Sequence, residues 1–305
     1  MIFRYEYPGG VWVDLEQPNA DEIRRVAREF SISERLEAEL LSPTPLPLVA
    51  ADDGSALLVL HFPVHETEGD VTKDQEIDFI VGSRFIITVR YEVVVPLHHL
   101  KKLLETQNIV SAQNSITTDV LLETLFAHLF TSARDYTDHV ASNLARVERD
   151  MFDGHERNTV RLISNVSREF LHLEASLANQ EESLVRFLKM LAARDFFGAS
   201  FTERASRIEG EHLQATRLIK THRAIASEMR ETNIALLEAH QNEIMKTLTI
   251  ITVIILPLEL IAVTFGIHAK GTPLEGNPDA FLIIMTIMFS IVIGMVLFYA
   301  KKRWL

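Results

Sequence analysis

The chain has 305 residues and no cysteine, with 30 lysines and arginines against 42 aspartates and glutamates, a net charge of −12. The lack of thiols excludes disulfides and thiolate metal sites, and a chain this acidic does not seek nucleic acid. The length suits one or two soluble domains with a membrane region.

The N-terminus, MIFRYEYPGG, carries Arg4 and Glu6 and has no long apolar core, so it does not read as a signal peptide. Residues 1–117 read as a mixed α/β domain. VWVDL (11–15) is a short strand. Asn19 can cap a helix whose Glu22, Ile23, Val26, Ala27 and Phe30 fall at helical spacing. The prolines at 43, 45 and 47 mark an extended segment. SALLVLHFPV (55–64) and DFIVGSRFIITVR (78–90) are rich in β-branched and aromatic residues, with Gly82-Ser83 as the turn of a hairpin.

Seven prolines lie between Pro8 and Pro96, and then none until Pro257; residues 97–256 hold only Gly154, Gly198 and Gly210. Long helices follow from that composition. Residues 118–198 read as a helical hairpin, one arm from Thr118 to about Met151, a turn at Asp153-Gly154, and a second arm from about Arg157 to Leu191. From Ala199 a single helix continues toward the C-terminus, with residues 199–246 as a cytoplasmic stalk. Ala215, Leu218, Ile225, Met229, Leu236 and Ala239 form its packing stripe.

Two stretches are apolar enough to cross a bilayer. TLTIITVIILPLELIAVTFGI (247–267) carries one charge, Glu259, and AFLIIMTIMFSIVIGMVLFYA (280–300) carries none. Twenty-one helical residues cover roughly 31 Å, the thickness of a bilayer core. Lys301, Lys302 and Arg303 follow the second stretch and Lys246 precedes the first, whereas the 268–280 loop holds only Lys270 against Glu275 and Asp279. The positive-inside rule puts both termini and the tail 301–305 in the cytoplasm and the loop outside, in an inner or plasma membrane.

On a helical wheel Asn242, Met245, Thr249, Thr252, Leu256, Glu259 and Val263 occupy one sector of about 100°. A carboxylate in hydrocarbon costs several kcal/mol, so Glu259 should face a polar interior or a water-filled path. One helix cannot enclose such a path, so several chains would surround an axis. The alternative is that Thr249 and Thr252 bond their own backbone and Glu259 reaches outward.

The run Asn242-Glu243-Ile244-Met245-Lys246-Thr247-Leu248-Thr249 into Pro257 and Phe265-Gly266 resembles the pore helix of the CorA family of divalent cation transporters. The tail Lys301-Lys302-Arg303-Trp304-Leu305 is similar to that family's C-terminus, and Trp12-Val13-Asp14-Leu15 and the stretch from Phe79 to Arg90 are similar to its N-terminal domain. The resemblance covers essentially the whole chain. It implies an α+β cytoplasmic domain of mixed sheet and long helices, a long stalk helix, two C-terminal transmembrane helices, and a homopentameric funnel. It also implies that Asn242, Met245, Thr249, Thr252, Leu256 and Glu259 face the ion path.

One departure bears on selectivity. The family closes its pore helix with Gly-Met-Asn, and this chain has Gly266-Ile267-His268 at the outer mouth. Amide and carbonyl oxygens suit hydrated Mg²⁺; an imidazole suits Zn²⁺, Co²⁺ or Ni²⁺. The loop Ala269-Lys270-Gly271-Thr272-Pro273 resembles the zinc-transporting ZntB branch. Glu259 and His268 are the candidate metal ligands. Glu181-Glu182 and the Glu209/Glu211 pair are candidates for a cation-sensing site between subunits. His61, His65, His98 and His99 lack ligand spacing and read as ordinary surface or core histidines.

No phosphate loop, nucleophile elbow or paired catalytic carboxylates occur, so the chain does not read as an enzyme and calls for no cofactor. The expected partners are further copies of the chain, the lipid bilayer, and divalent ions as cargo or regulatory ligand. Two other readings stand beside transport: a non-conducting membrane scaffold or sensor, and a channel of altered selectivity.

Overall fold

The computed structural model describes residues 2–64, 73–110, 116–153, 156–194, 196–266 and 278–302. The chain divides into two compact units, Met1–Arg230 and Glu231–Leu305.

The first unit is built on a six-stranded sheet of order β1-β2-β6-β5-β4-β3. The strands are β1 (Ile2–Tyr7), β2 (Gly10–Glu16), β3 (Leu48–Ala51), β4 (Ser55–Val64), β5 (Lys73–Gly82) and β6 (Phe85–Arg90). Only the β2–β6 pair is parallel. Trp12, with Phe79 and Arg90, is fully buried, because the central strands are covered on both faces. Between β5 and β6 the turn residues are Ser83 and Arg84; Gly82 is the last ladder residue, paired with Phe85. A Cβ on Gly82 would lie 2.3 Å from the Phe85 ring, so the close ring, and not the turn itself, requires glycine.

Helices α1 (Ala20–Glu29) and α2 (Glu34–Glu39) cover one face. Ile23, Val26, Ala27 and Leu36 pack there with Val13, Leu57, Val59, Ile80 and Ile87. Asn19 caps α1 as a capping box with Glu22, which is worth about 1 kcal/mol. The other face meets α4 (Thr118–Phe152), where Phe79 stacks on Phe126 at 5.1 Å and Phe62 lies 5.8 Å from Phe130. A helix α3 (Val95–Val110), an edge strand β1 and a short strand β3 stand where the sequence reading had assigned no element.

Helix α5 (Glu156–Ala193) pairs with α4, and its buried residues alternate four and three apart from Thr159 through Ile163, Val166, Phe170, Leu173, Leu177, Gln180, Leu184, Phe187 and Leu191. That repeat of about 3.5 residues keeps one seam on a neighbouring helix. Helix α6 (Phe201–Gly266) is one element of 66 residues. Its buried positions in the first unit run Phe201, Ala205, Ile208, His212, Ala215, Ile219, Ala226 and Met229. The expected stripe is corrected: Ala215 and Met229 are buried and Leu218 and Leu236 half-buried, but Ile225 (42 % exposed) and Ala239 are exposed, and Ile219 and Ala226, each 0 %, pack instead. The 3.5-residue phase decides which positions pack, and it selects small and polar residues over larger apolar ones beside them.

The second unit holds the end of α6 and α7 (Ala280–Lys301).

Candidate functional site

Two helices are long and apolar enough to cross a membrane, the C-terminal part of α6 and all of α7. In α6 every residue of the polar sector, Asn242, Met245, Thr249, Thr252, Leu256, Glu259 and Val263, is exposed. The covered residues of the same segment are Ile250, Ile254, Pro257, Leu258, Ile261 and Phe265. At 100° per residue the centres of these two sets lie roughly 160° apart. The polar face is therefore exposed and lies opposite the covered side, although Leu248, Ile251, Val253, Ile255 and Leu260 on the flanks are exposed as well.

The hydroxyls of Thr249 and Thr252 donate to the carbonyls of Met245 and Leu248, at 2.8 and 2.9 Å. Thr247 and Thr264 make the same four-back bond on other sides of the helix, so this bond satisfies a threonine in apolar surroundings and does not mark a face. Pro257 brings no N–H to the carbonyl of Val253, and the helix continues through it to Gly266. Ile267 and His268 of the expected outer mouth, the 268–277 part of the loop, His65, and the tail residues Arg303, Trp304 and Leu305 lie outside the described residues.

The first unit commits its charges internally. Arg90, fully buried, donates to Asp14 at 2.9 Å and to Glu16, and Lys101 of α3 lies 3.2 Å from Asp14. Thr88 donates to Asp14 at 2.8 Å and Trp12 donates to Thr88. Two carboxylates meet two cations, which is what keeps such a cluster tolerable out of water. Arg204 of α6 pairs with Asp119 and Glu123 of α4, and Arg223 with Glu174 of α5. Glu211, a candidate for cation sensing, is paired with Arg134 of α4. Burial pushes the His212 imidazole below its ordinary pKa, with Nε2 2.9 Å from the carbonyl of Leu177.

At the end of the sheet, where His61 of β4 pairs with Glu76 of β5 and Tyr91 and Glu92 follow β6, the first unit has a cavity of about 430 Å³. The segment Pro43–Pro47 forms one wall, and His61, Asp74, Gln75, Glu76 and Glu92 line the rest with α5. Glu76 accepts from the backbone N–H of Thr44 at 2.8 Å and from its hydroxyl. Beneath it, burial and the neighbouring Glu76 carboxylate hold Asp78 well above the usual carboxylate range. Tyr91 donates toward Asp78 at 3.2 Å and the carbonyl of Leu40 at 2.9 Å, and burial with those carboxylates raises its phenol. His61, read from sequence as an ordinary histidine, thus belongs to a built polar pocket.

The chain is similar to known proteins along nearly its whole length. A family described as CorA-like Mg²⁺ transporter protein matches residues 8–303. The cobalt/magnesium transport protein CorA of Methanocaldococcus jannaschii is 21% identical over 302 residues, covering 97% of this chain and 91% of that protein. The complete structure of the CorA magnesium transporter from the same organism superposes with a TM-score of 0.81 at 20% identity, over 99% of this chain and 94% of that one. The ZntB cytoplasmic domain from Vibrio parahaemolyticus superposes with a TM-score of 0.60 at 13% identity, over 76% of this chain and 89% of that one.

Proposed function

Because the chain belongs to the CorA-like Mg²⁺ transporter family, we propose that it moves divalent metal cations across a membrane as a homopentamer, along the bare polar face of α6. The observation that carries this reading is the opposition of faces: Asn242, Met245, Thr249, Thr252, Leu256, Glu259 and Val263 are exposed while the reverse side of the helix is covered. In hydrocarbon, Glu259 needs a polar surrounding that its own chain does not provide. Copies arranged about an axis provide it, and each contributes one carboxylate to a ring that a passing cation helps to neutralise.

In this reading residues 247–267 and 280–300 are the two transmembrane segments. Residues 1–246 and the basic tail are cytoplasmic, the 268–280 loop is external, and no resident cofactor is required. The cation is cargo. Gly266, Ile267 and His268 form the outer mouth, where an imidazole in place of the family's asparagine favours Zn²⁺, Co²⁺ or Ni²⁺ over Mg²⁺. The names of relatives that carry cobalt and magnesium support the same class of cargo.

The test is uptake of Mg²⁺, Zn²⁺, Co²⁺ and Ni²⁺ into liposomes holding purified protein, with oligomer mass measured in the same detergent. Wild-type protein is expected to be pentameric and to admit at least one of these ions, Glu259→Gln to conduct less with assembly intact, and His268→Asn to shift preference toward Mg²⁺. A monomer, or an intact oligomer that admits none of the four ions, would overturn the proposal and leave a membrane scaffold.

A further inference from the structure

The segment from Leu40 to Pro47 is tied to the sheet at two points, and both adjoin Asp78 of β5. At its start the carbonyl of Leu40 accepts from the Tyr91 phenol at 2.9 Å. Further on, Thr44 donates from its backbone N–H and its hydroxyl to Glu76, two residues before Asp78 on the same face of the strand. Asp78 is fully buried, with Oδ2 3.2 Å from the phenol oxygen and Oδ1 without a hydrogen-bond partner.

Tyr91 has one phenolic hydrogen and two oxygens within reach. A carbonyl only accepts, so with that hydrogen on Leu40 the contact between Tyr91 and Asp78 needs a hydrogen from the carboxyl. An ionised Asp78 has none to give. It would also be a buried carboxylate with one oxygen bare, whereas a charged group out of water requires a partner for its charge. The charges that act on it are of its own sign, Glu76 beside it on β5 and Glu39 at the end of α2. His61 of β4 lies 3.7 Å from Glu76. Across the ladder Asp78 faces Val59 of β4 and Val89 of β6, which offer no charge. Burial and the two glutamates hold its carboxyl well above the usual range, in agreement with the hydrogen count.

We propose that Asp78 is a carboxylic acid in the folded chain and that its proton latches the 40–47 segment to the sheet. When the proton passes to water, a carboxylate remains. The phenol hydrogen of Tyr91 turns to it, because a charged acceptor makes the stronger bond, and Leu40 loses its donor. Adjacent carboxylates at Asp78 and Glu76 then repel in a low dielectric, which draws Glu76 off Thr44. The segment, whose prolines form one wall of the cavity, comes free as pH rises. The latch lies within one chain and does not depend on the transport reading.

The test uses the absence of cysteine, which lets one introduced thiol report alone. Leu46 is 68 % exposed, so a spin label on Leu46→Cys reads the mobility of the segment in full-length protein in detergent. In this background the label is expected to be immobile at acid and neutral pH and to lose its immobile component at alkaline pH, with circular dichroism unchanged. The infrared C=O band of a protonated carboxyl should vanish over the same pH interval. Asp78→Asn keeps an N–H donor for Tyr91 and cannot ionise, so it should lack that band and hold the label immobile throughout. Tyr91→Phe removes the donor to Leu40 and should leave the label mobile at every pH. Asp138→Asn, an exposed carboxylate on α4, should behave as the background does. A label that stays immobile until the whole fold is lost would overturn the proposal without recourse to any Asp78 variant. So would a protonated-carboxyl band that does not titrate with the label, or an alkaline release that persists in Asp78→Asn.

Discussion

The two units handle polar groups in opposite ways. In residues 1–230 almost every interior charge meets a partner from the same chain: Arg90 between Asp14 and Glu16, Arg204 between Asp119 and Glu123, Arg223 on Glu174. In residues 247–266 the polar side chains lie on the surface, and the covered residues, Ile250, Ile254, Pro257, Leu258, Ile261 and Phe265, are apolar. The first pattern belongs to a fold complete in one chain. The second belongs to a surface whose energetic partners lie outside the chain, in lipid on some sides and in other copies on another.

The largest expected effect breaks the first half of this comparison. Arg90→Ala leaves Asp14 and Glu16 buried with only Lys101 nearby, and should cost about 3–5 kcal/mol of stability, read as a lower melting temperature of the full chain in detergent. Next is a pair of substitutions that sets the two faces of α6 against each other. Ile254→Glu puts a carboxylate on the covered face and should cost about 2.5–3.5 kcal/mol, seen as loss of the folded oligomer. Val263→Glu puts it on the bare polar face and should assemble normally. If both assemble equally well, the faces are not distinct.

Smaller effects sharpen the contrast through protonation. Asp78 keeps its proton in the folded state well above the pH at which an unfolded aspartate loses it. The folded chain then binds more protons, so this residue's contribution falls as pH rises through the unfolded value of about 3.9 toward the folded one. Asp78→Asn should therefore raise the melting temperature at neutral pH, by about 2–4 °C per kcal/mol recovered. His212 runs the other way. Its pKa is lowered in the fold, so its stability contribution is present above the unfolded pKa of about 6.5 and is lost as pH falls toward the folded value. Between pH 7.5 and 5 the wild-type chain should lose more stability than His212→Gln, whose amide can still donate to the carbonyl of Leu177. Least of all, Arg4→Ala removes an exposed pair with Glu29 and should cost under about 1 kcal/mol.

The fold class was legible because its signals are local. A proline-free run announces long helices, Asn19 with Glu22 announces the start of α1, and two apolar stretches, one with a single charge and one with none, announce the two helices long and apolar enough to cross a membrane. The bare face of α6 was legible for the same reason, since a single helix sets the angles of Thr249, Thr252 and Glu259. The edge strand β1 carried its signal too, Phe3, Tyr5 and Tyr7 alternating with Arg4 and Glu6 at period two, but over only six residues, and no strand was assigned there. The true seam of α6 was not legible, since Ala226 packs there and the bulkier Ile225 does not. Which position packs depends on the phase of the neighbouring helices, and hydrophobicity ranked residue by residue misses it. The cavity was invisible for a deeper reason. Its walls come from segments near 43–47, 61, 74–76, 91–92 and 176–179, and only the strand pairing of His61 with Glu76 brings the first polar groups together.

The four-back bonds of Thr249 and Thr252 have a consequence for permselectivity. Each hydroxyl has turned its hydrogen inward to a carbonyl of its own helix, so only oxygen lone pairs remain to meet whatever approaches. From Met245 to Val263 that face offers Met, Thr, Thr, Leu, Glu and Val, and none of these side chains, with the threonine hydrogens already taken, has a donor left for an anion such as chloride. A hydrated cation presents the opposite polarity, since the hydrogens of its water shell point outward and find those lone pairs. On the proposed ion path, counter-ions would be turned away by the direction in which two hydroxyls point, with Glu259 the only formal charge among these six side chains.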